Sequence, residues 1–108
     1  MNSKEFNLTM DGLLERCKET LQHKAGEYAD SRDRLHNFNS AAELIGGTKA
    51  QACWGMAVKH VVSVSDMVAS GQSYPMSIWD EKLGDMLNYC ILLYACVVEK
   101  ESKNADLQ

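Results

Sequence analysis

An all-α bundle of four to five helices is the fold this sequence predicts, on three observations. Pro75 is the only proline in 108 residues, so helices can run almost uninterrupted. Apolar residues recur at three- and four-residue spacing in separate stretches. Gly46-Gly47 and Gly71 follow two of those stretches, where a helix end favours the left-handed backbone that glycine adopts freely.

The first helix is expected to start near Thr9, a good N-cap residue. Leu13, Cys17, Leu21, Lys24 and Tyr28 follow on one face, widened by Leu14. A loop is expected over 29–31, with Ser31 as cap for a second helix whose face is Leu35, Phe38, Ala42 and Ile45. Thr48-Lys49-Ala50-Gln51 fits a capping box and opens the third helix. Trp54, Ala57, Val61, Val64 and Val68 make its expected core stripe, beside a boundary stripe of Cys53, Met56, His60, Ser63 and Met67. A strand through the Val-rich segment is the rival reading, disfavoured because the stripe extends over several turns. Residues 71–75 form a loop. Ser77 is expected to cap a final helix from Ile78 to about Glu101, with Leu87 on its apolar side. One domain over 1–101 follows, with a polar tail at 102–108.

Within the final helix, Cys90 to Val98 is apolar on nearly every side. Such a helix needs partners all round, and three other helices in so small a chain do not supply them. Self-association through this long C-terminal helix, as a dimer or tetramer, is therefore expected.

Composition narrows the function classes. The hydrophobic and charged fractions, 45% and 24%, are those of a globular domain. Eleven basic residues stand singly among 15 acidic ones, a net charge of -4, so direct nucleic-acid binding is not expected. The longest apolar run, Tyr89 to Val98, is about half of what a bilayer span needs, so no membrane partner is expected. The N-terminal MNSKEFNLTM has no apolar signal core, and a cytoplasmic location is expected. Cys17, Cys53, Cys90 and Cys96 form no CxxC or CxxH pair and read as small packed hydrophobes rather than zinc ligands.

Three constellations could carry chemistry. Glu81, Asp85 and Asn88 share one stripe of the final helix. Two carboxylates there suit Mg²⁺, which keeps its waters and bridges to phosphates; equally, they suit a solvated face near a helix N-terminus. An Asn where the helix turns apolar needs a hydrogen-bond partner, and a ligand can be that partner. Lys59 and His60 on the third helix could meet phosphate, or form a boundary of snorkelling and satisfied side chains. Lys24, Tyr28, Arg34, His36 and Asn37 gather at the first helix–helix turn, where polar groups converging between helices can build a small-ligand pocket. No Gly-rich phosphate loop and no nucleophile motif is present.

The order KxxxY (Lys24, Tyr28), DRLHNF, WGMAVKH and WDEKLGDMLNYCILLYA resembles the phage and prophage proteins of the nucleotide modification associated domain 1 family. The last segment also resembles the metal-binding helix of MazG-like, all-α NTP pyrophosphatases. The resemblance spans about residues 20–98. It implies a helical, self-associating, phage-encoded protein acting in the host cytoplasm. It also implies a nucleotide pocket, with Glu81 and Asp85 on the metal helix and Lys24, Tyr28, Lys59 and His60 facing the ligand. Two features depart from the MazG-like pattern. Lys82 stands where an acid is wanted three residues before Asp85, and Glu15 and Glu19 are four apart where an ExxE pair is wanted. Hydrolysis needs several carboxylates to hold metal and activate water.

Two functions remain open from sequence. One is a phage-type nucleotide-binding protein, either a Mg²⁺-dependent pyrophosphatase-like enzyme or an accessory of nucleotide or DNA modification. The other is a non-enzymatic helical interaction protein that inhibits or regulates a host defence protein. The first requires the polar residues to converge on one pocket; the second allows them to be dispersed.

Overall fold

A computed structural model describes the backbone of residues 1–28 and 33–106 and the side chains of 1–23 and 33–105. Four helices follow one another: α1 (Ser3–Tyr28), α2 (His36–Ile45), α3 (Lys49–Ser70) and α4 (Met76–Asp106). Among the described residues there is no strand, and the Val-rich segment is helical throughout. No helix among the described residues is long and apolar enough to cross a membrane. The expected loop at 29–31 and the expected cap Ser31 lie outside the described residues.

The α3–α4 pair is the centre of the fold, with α2 packed on α3 and α1 on α4. Lys49 pairs with Glu99 at one end, and His60 approaches Asp85 further along, so α3 and α4 are antiparallel. Arg16 meets Asp80 at 3.2 Å, and the Cys17 thiol points at the Gly84 carbonyl at 3.9 Å, so α1 runs alongside α4 in the same direction.

Helix ends follow local chemistry. Thr48 and Gln51 form the anticipated capping box, and Gly46 and Gly71 close α2 and α3 with φ of 68° and 65°. Two starts differ from expectation. α1 begins at Ser3 rather than near Thr9, because Asn2 and Glu5 exchange side-chain-to-backbone hydrogen bonds of 2.9 Å in a capping box of their own. Thr9 sits inside the helix, its hydroxyl donating to the Glu5 carbonyl. α4 begins at Met76, ahead of Ser77, because the Pro75 carbonyl accepts from Ile78 and Trp79. At the other end α4 remains helical through the exposed polar segment, to Asp106.

The buried cluster is Leu35, Phe38, Cys53 and Cys96, flanked by Met56, Tyr89, Leu92 and Leu93. Burial pushes the Cys53 thiol up to about 11, helped by the neighbouring Cys96, so it packs as a neutral hydrophobe. Cys17 and Cys96 are buried likewise, whereas Cys90 is exposed. Leu35, just before α2, and Phe38 and Ala42 on it are buried as expected, but Ile45 is exposed at the end of the helix.

The main correction concerns α3. Trp54 is 53% exposed, Val61 39% and Val68 67%, so these three residues of the stripe expected in the core face outward, whereas Ala57 is buried as expected and Val64 half-buried. Beside Ala57 the core takes Ala52, Cys53 and Met67, with Met56, His60 and Ser63 half-buried next to them. Both stripes have helical periodicity. Periodicity shows that a face is apolar, not which neighbour covers it. Small residues on the inner stripe let α3 approach α4 and α2 closely.

Candidate functional site

The best-formed concavity is a cleft of about 300 Å³ where the segment entering α2 meets α1, α3 and α4. Arg34, Asn37, Asp85 and Asn88 supply its polar groups, and Leu21, Phe38, Met56, Tyr89 and Leu92 its walls. Arg34 is placed by the turn before α2. The Asp33 carboxylate accepts from the Leu35 backbone N–H at 3.0 Å, and buried Leu35 anchors the turn in the core. One guanidinium nitrogen of Arg34 donates to the Leu21 carbonyl at 3.1 Å. A guanidinium carries five N–H donors, more than this one bond uses.

Asn88 is the most informative residue of the cleft. It is 7% exposed, the only polar residue buried among the described residues, and its Oδ1 has no hydrogen-bond partner among them. A buried acceptor without a donor costs about 1–3 kcal/mol, so native proteins seldom leave one without cause. The adjacent ring pair is ordered: His60 stacks on Tyr89 with centroids 4.8 Å apart and planes 25° apart. His60 Nδ1 lies 3.9 Å from Asp85 Oδ2, too far for a direct hydrogen bond but close enough for a charge interaction. Burial, with Cys53 and Asp85 adding, raises the Tyr89 phenol above its ordinary value, so it stays a protonated donor at neutral pH.

Four of the sequence-picked residues thus come together in or beside the cleft through α4 and the α2 entry: Arg34, Asn37, Asp85 and Asn88. His60 supports them through Tyr89 and Asp85. Others stay apart. His36 is exposed, with its Nε2 3.5 Å from the Ser40 hydroxyl, and Lys59 is exposed on a flank of α3 outside the cleft. The side chains of Lys24 and Tyr28 lie outside the described residues. The apolar walls were missed from sequence as ligand contacts. Met56 and His60, one turn apart on the inner stripe of α3, carried the available signal.

Glu81 borders a second, shallower depression of about 230 Å³, which Arg16, Asp80, Asp85 and Asn88 also line. Asp85 and Asn88 therefore sit between the two concavities. Among the described residues no three of His, Cys, Asp and Glu come together as a metal-binding group. The donor set does not fit a metal caged by protein alone. Glu81 and Asp85, one turn apart, fit only the sparse arrangement in which Mg²⁺ keeps its waters and takes the remaining ligands from phosphates.

Comparison with known protein families, with curated proteins and with solved structures returns no match.

Proposed function

We propose that this chain binds a nucleotide in the cleft between the α2 entry, α3 and α4. The observation that supports this best is the unpartnered Oδ1 of Asn88, buried at the back of a cleft that also holds a cation, an amide and aromatic walls. A nucleobase carries N–H donors on a flat edge and a stackable face. Asn88 Oδ1 would accept from that edge, while Phe38 and Tyr89 offer apolar and aromatic surface to the ring. Arg34 would meet phosphate at the open mouth, where its planar fork suits phosphate oxygens. A cleft of about 300 Å³ is at the small end for ligand sites, enough for the base while the phosphates remain near solvent. The resemblance to MazG-like and nucleotide-modification proteins points the same way.

Binding is the extent of this reading. Of the three carboxylates bordering one depression, Asp80 is paired with Arg16, and Mg²⁺ would enter with the phosphates, held by Glu81 and Asp85. Such an ion would neutralise phosphate charge. The chain's own residues would bind the base and orient the phosphates.

The test is a thermal-shift panel of nucleoside mono-, di- and triphosphates, with and without Mg²⁺. Calorimetric titration of the best ligand into wild type, Asn88→Leu and Asp85→Asn follows. A ligand that binds only the folded chain raises the melting temperature, by about 2.7 kcal/mol of stability at 100 times its dissociation constant. Wild type should bind and Asn88→Leu should not. Asp85→Asn should lose whatever part of the affinity depends on Mg²⁺. A panel with no shift for any nucleotide would overturn the proposal and leave the helical interaction protein as the better reading.

A further inference from the structure

Two acceptors without donors share one wall of the cleft. Asp85 and Asn88 stand three residues apart on α4, so they leave the same face of the helix with β-carbons about 5–6 Å apart. Both line the cleft. Asn88 Oδ1 is buried and has no hydrogen-bond partner among the described residues. The only ion-pair contact of Asp85 among those residues is His60 Nδ1, 3.9 Å from Oδ2 and beyond hydrogen-bond reach. The His60 ring is committed to its stack on Tyr89.

A pair of unmet acceptors selects a pair of donors. Two hydrogen bonds of about 2.9 Å, leaving one planar nitrogen at about 120°, reach acceptors roughly 5 Å apart. The exocyclic amino group of a nucleobase is such a nitrogen, with two N–H donors in the plane of the ring. Its span matches the spacing of positions 85 and 88 on a helix. A carbonyl oxygen in the same place would set its lone pairs against both acceptors and leave them desolvated and unpaired. Displacing solvent from such a place loses affinity unless the incoming group reproduces its donors. In adenine, cytosine and guanine a ring nitrogen that accepts lies beside the amino group. Arg34 and Asn37 carry N–H donors in the same cleft to meet it.

We infer that the cleft selects nucleotides whose base bears an exocyclic amino group, over those of uracil, thymine and hypoxanthine, with Asp85 and Asn88 as the pair that determines this specificity. The inference rests on the nucleotide reading and adds to it the chemical class of the base. Asp85 also borders the depression that Glu81 lines. A carboxylate has two oxygens, so one accepts from the base while the other is left for the phosphate end of the ligand.

The test is calorimetric titration of the full chain with matched pairs: CTP against UTP, ATP against ITP and GTP against ITP, all with Mg²⁺. The members of a pair carry the same sugar, phosphates and metal, so their affinity ratio isolates the edge of the base. In wild type the amino-bearing member of at least one pair should bind at least about 10-fold tighter. Asp85→Asn keeps the shape of the side chain but turns an N–H donor toward the ligand. The ratio in that pair should then fall toward one, whatever affinity the variant loses through the metal. Circular dichroism and melting show that the variant is folded. Ratios below about 10-fold in all three wild-type pairs, or a preference for UTP or ITP, overturn the inference and leave the nucleotide reading standing. A ratio unchanged in Asp85→Asn overturns it as well; should that variant bind neither member, the wild-type ratios decide. Wild type that binds none of the five nucleotides overturns both the inference and the nucleotide reading.

Discussion

Replacing Asn88 by Leu should make the ligand-free protein more stable and the binding site useless. Asn88 is 7% exposed, and its Oδ1 has lost water without gaining a donor. Leu is similar in size and presents no polar atom, so the substitution removes a penalty of about 1–3 kcal/mol. It also adds apolar contact with Leu21, Met56 and Leu92, which line the same cleft. For a domain of this length each kcal/mol moves the melting temperature by about 4–8 °C. The assay is thermal and urea unfolding without ligand, at one fixed protein concentration for all variants. Asn88→Asp is the control of opposite sign. It buries a carboxylate one turn from Asp85, so its pKa in the folded state is raised above the unfolded value. Stability should then fall as pH rises above about 4. An Asn88→Leu protein that folds normally but is destabilised by more than about 1 kcal/mol would refute the reasoning, because it would show that the amide oxygen was already satisfied.

Phe38→Ala, which empties the site between Leu35, Cys53 and Cys96, should cost about 3–5 kcal/mol in urea unfolding. Lys49→Met tests the ion pair with Glu99, which lowers the Glu99 pKa and raises that of Lys49, chiefly through their direct hydrogen bond. The Glu99 contribution is present above its unfolded pKa and lost as pH falls through the lowered folded value. The Lys49 contribution is present below its unfolded pKa and lost as pH rises through the raised folded value. The wild-type advantage should therefore hold between about pH 5 and pH 10 and vanish in acid. It should stay below about 1 kcal/mol, because both side chains are partly solvated at 24% and 34% exposure. Gly46→Ala should cost about 1–2 kcal/mol, because φ is 68° there and a Cβ in that region is strained even though open space surrounds it.

Helix identity was legible wherever local chemistry decides it. The Thr48–Gln51 box and the glycines at 46 and 71 act among near neighbours in sequence; the box opens α3 and the glycines close α2 and α3, as expected. Asn2 and Glu5 carried the same kind of signal and were passed over for Thr9, which is a good cap in isolation but competes with a complete reciprocal pair. What covers each apolar face was not legible. α3 has two adjacent apolar stripes, and only the positions of α2 and α4 determine that Cys53 and Ala57 turn inward while Trp54 and Val61 turn out. Within the candidate site, Asn88 stood out because an amide beside an apolar helix end needs a partner. Arg34 and Asn37 reached the same cleft because they flank the anchored Leu35. Lys59 failed for a geometric reason. It is adjacent to His60 in sequence, but one residue along a helix is a 100° turn, enough to carry it out of the cleft.

The account rests on Asn88 as the group that a nucleotide satisfies, and its side-chain amide can be watched directly. In a ¹⁵N-labelled sample, the Asn88 and Asn37 side-chain amide resonances, assigned from Asn88→Leu and Asn37→Ala, are followed during titration with the nucleotide that gives the largest thermal shift. Both should move along one saturable curve that matches the calorimetric affinity, and backbone amides of the α2 entry should move with them. Saturation of binding with both side-chain amides unmoved would contradict the account, because the ligand would then lie elsewhere on the protein.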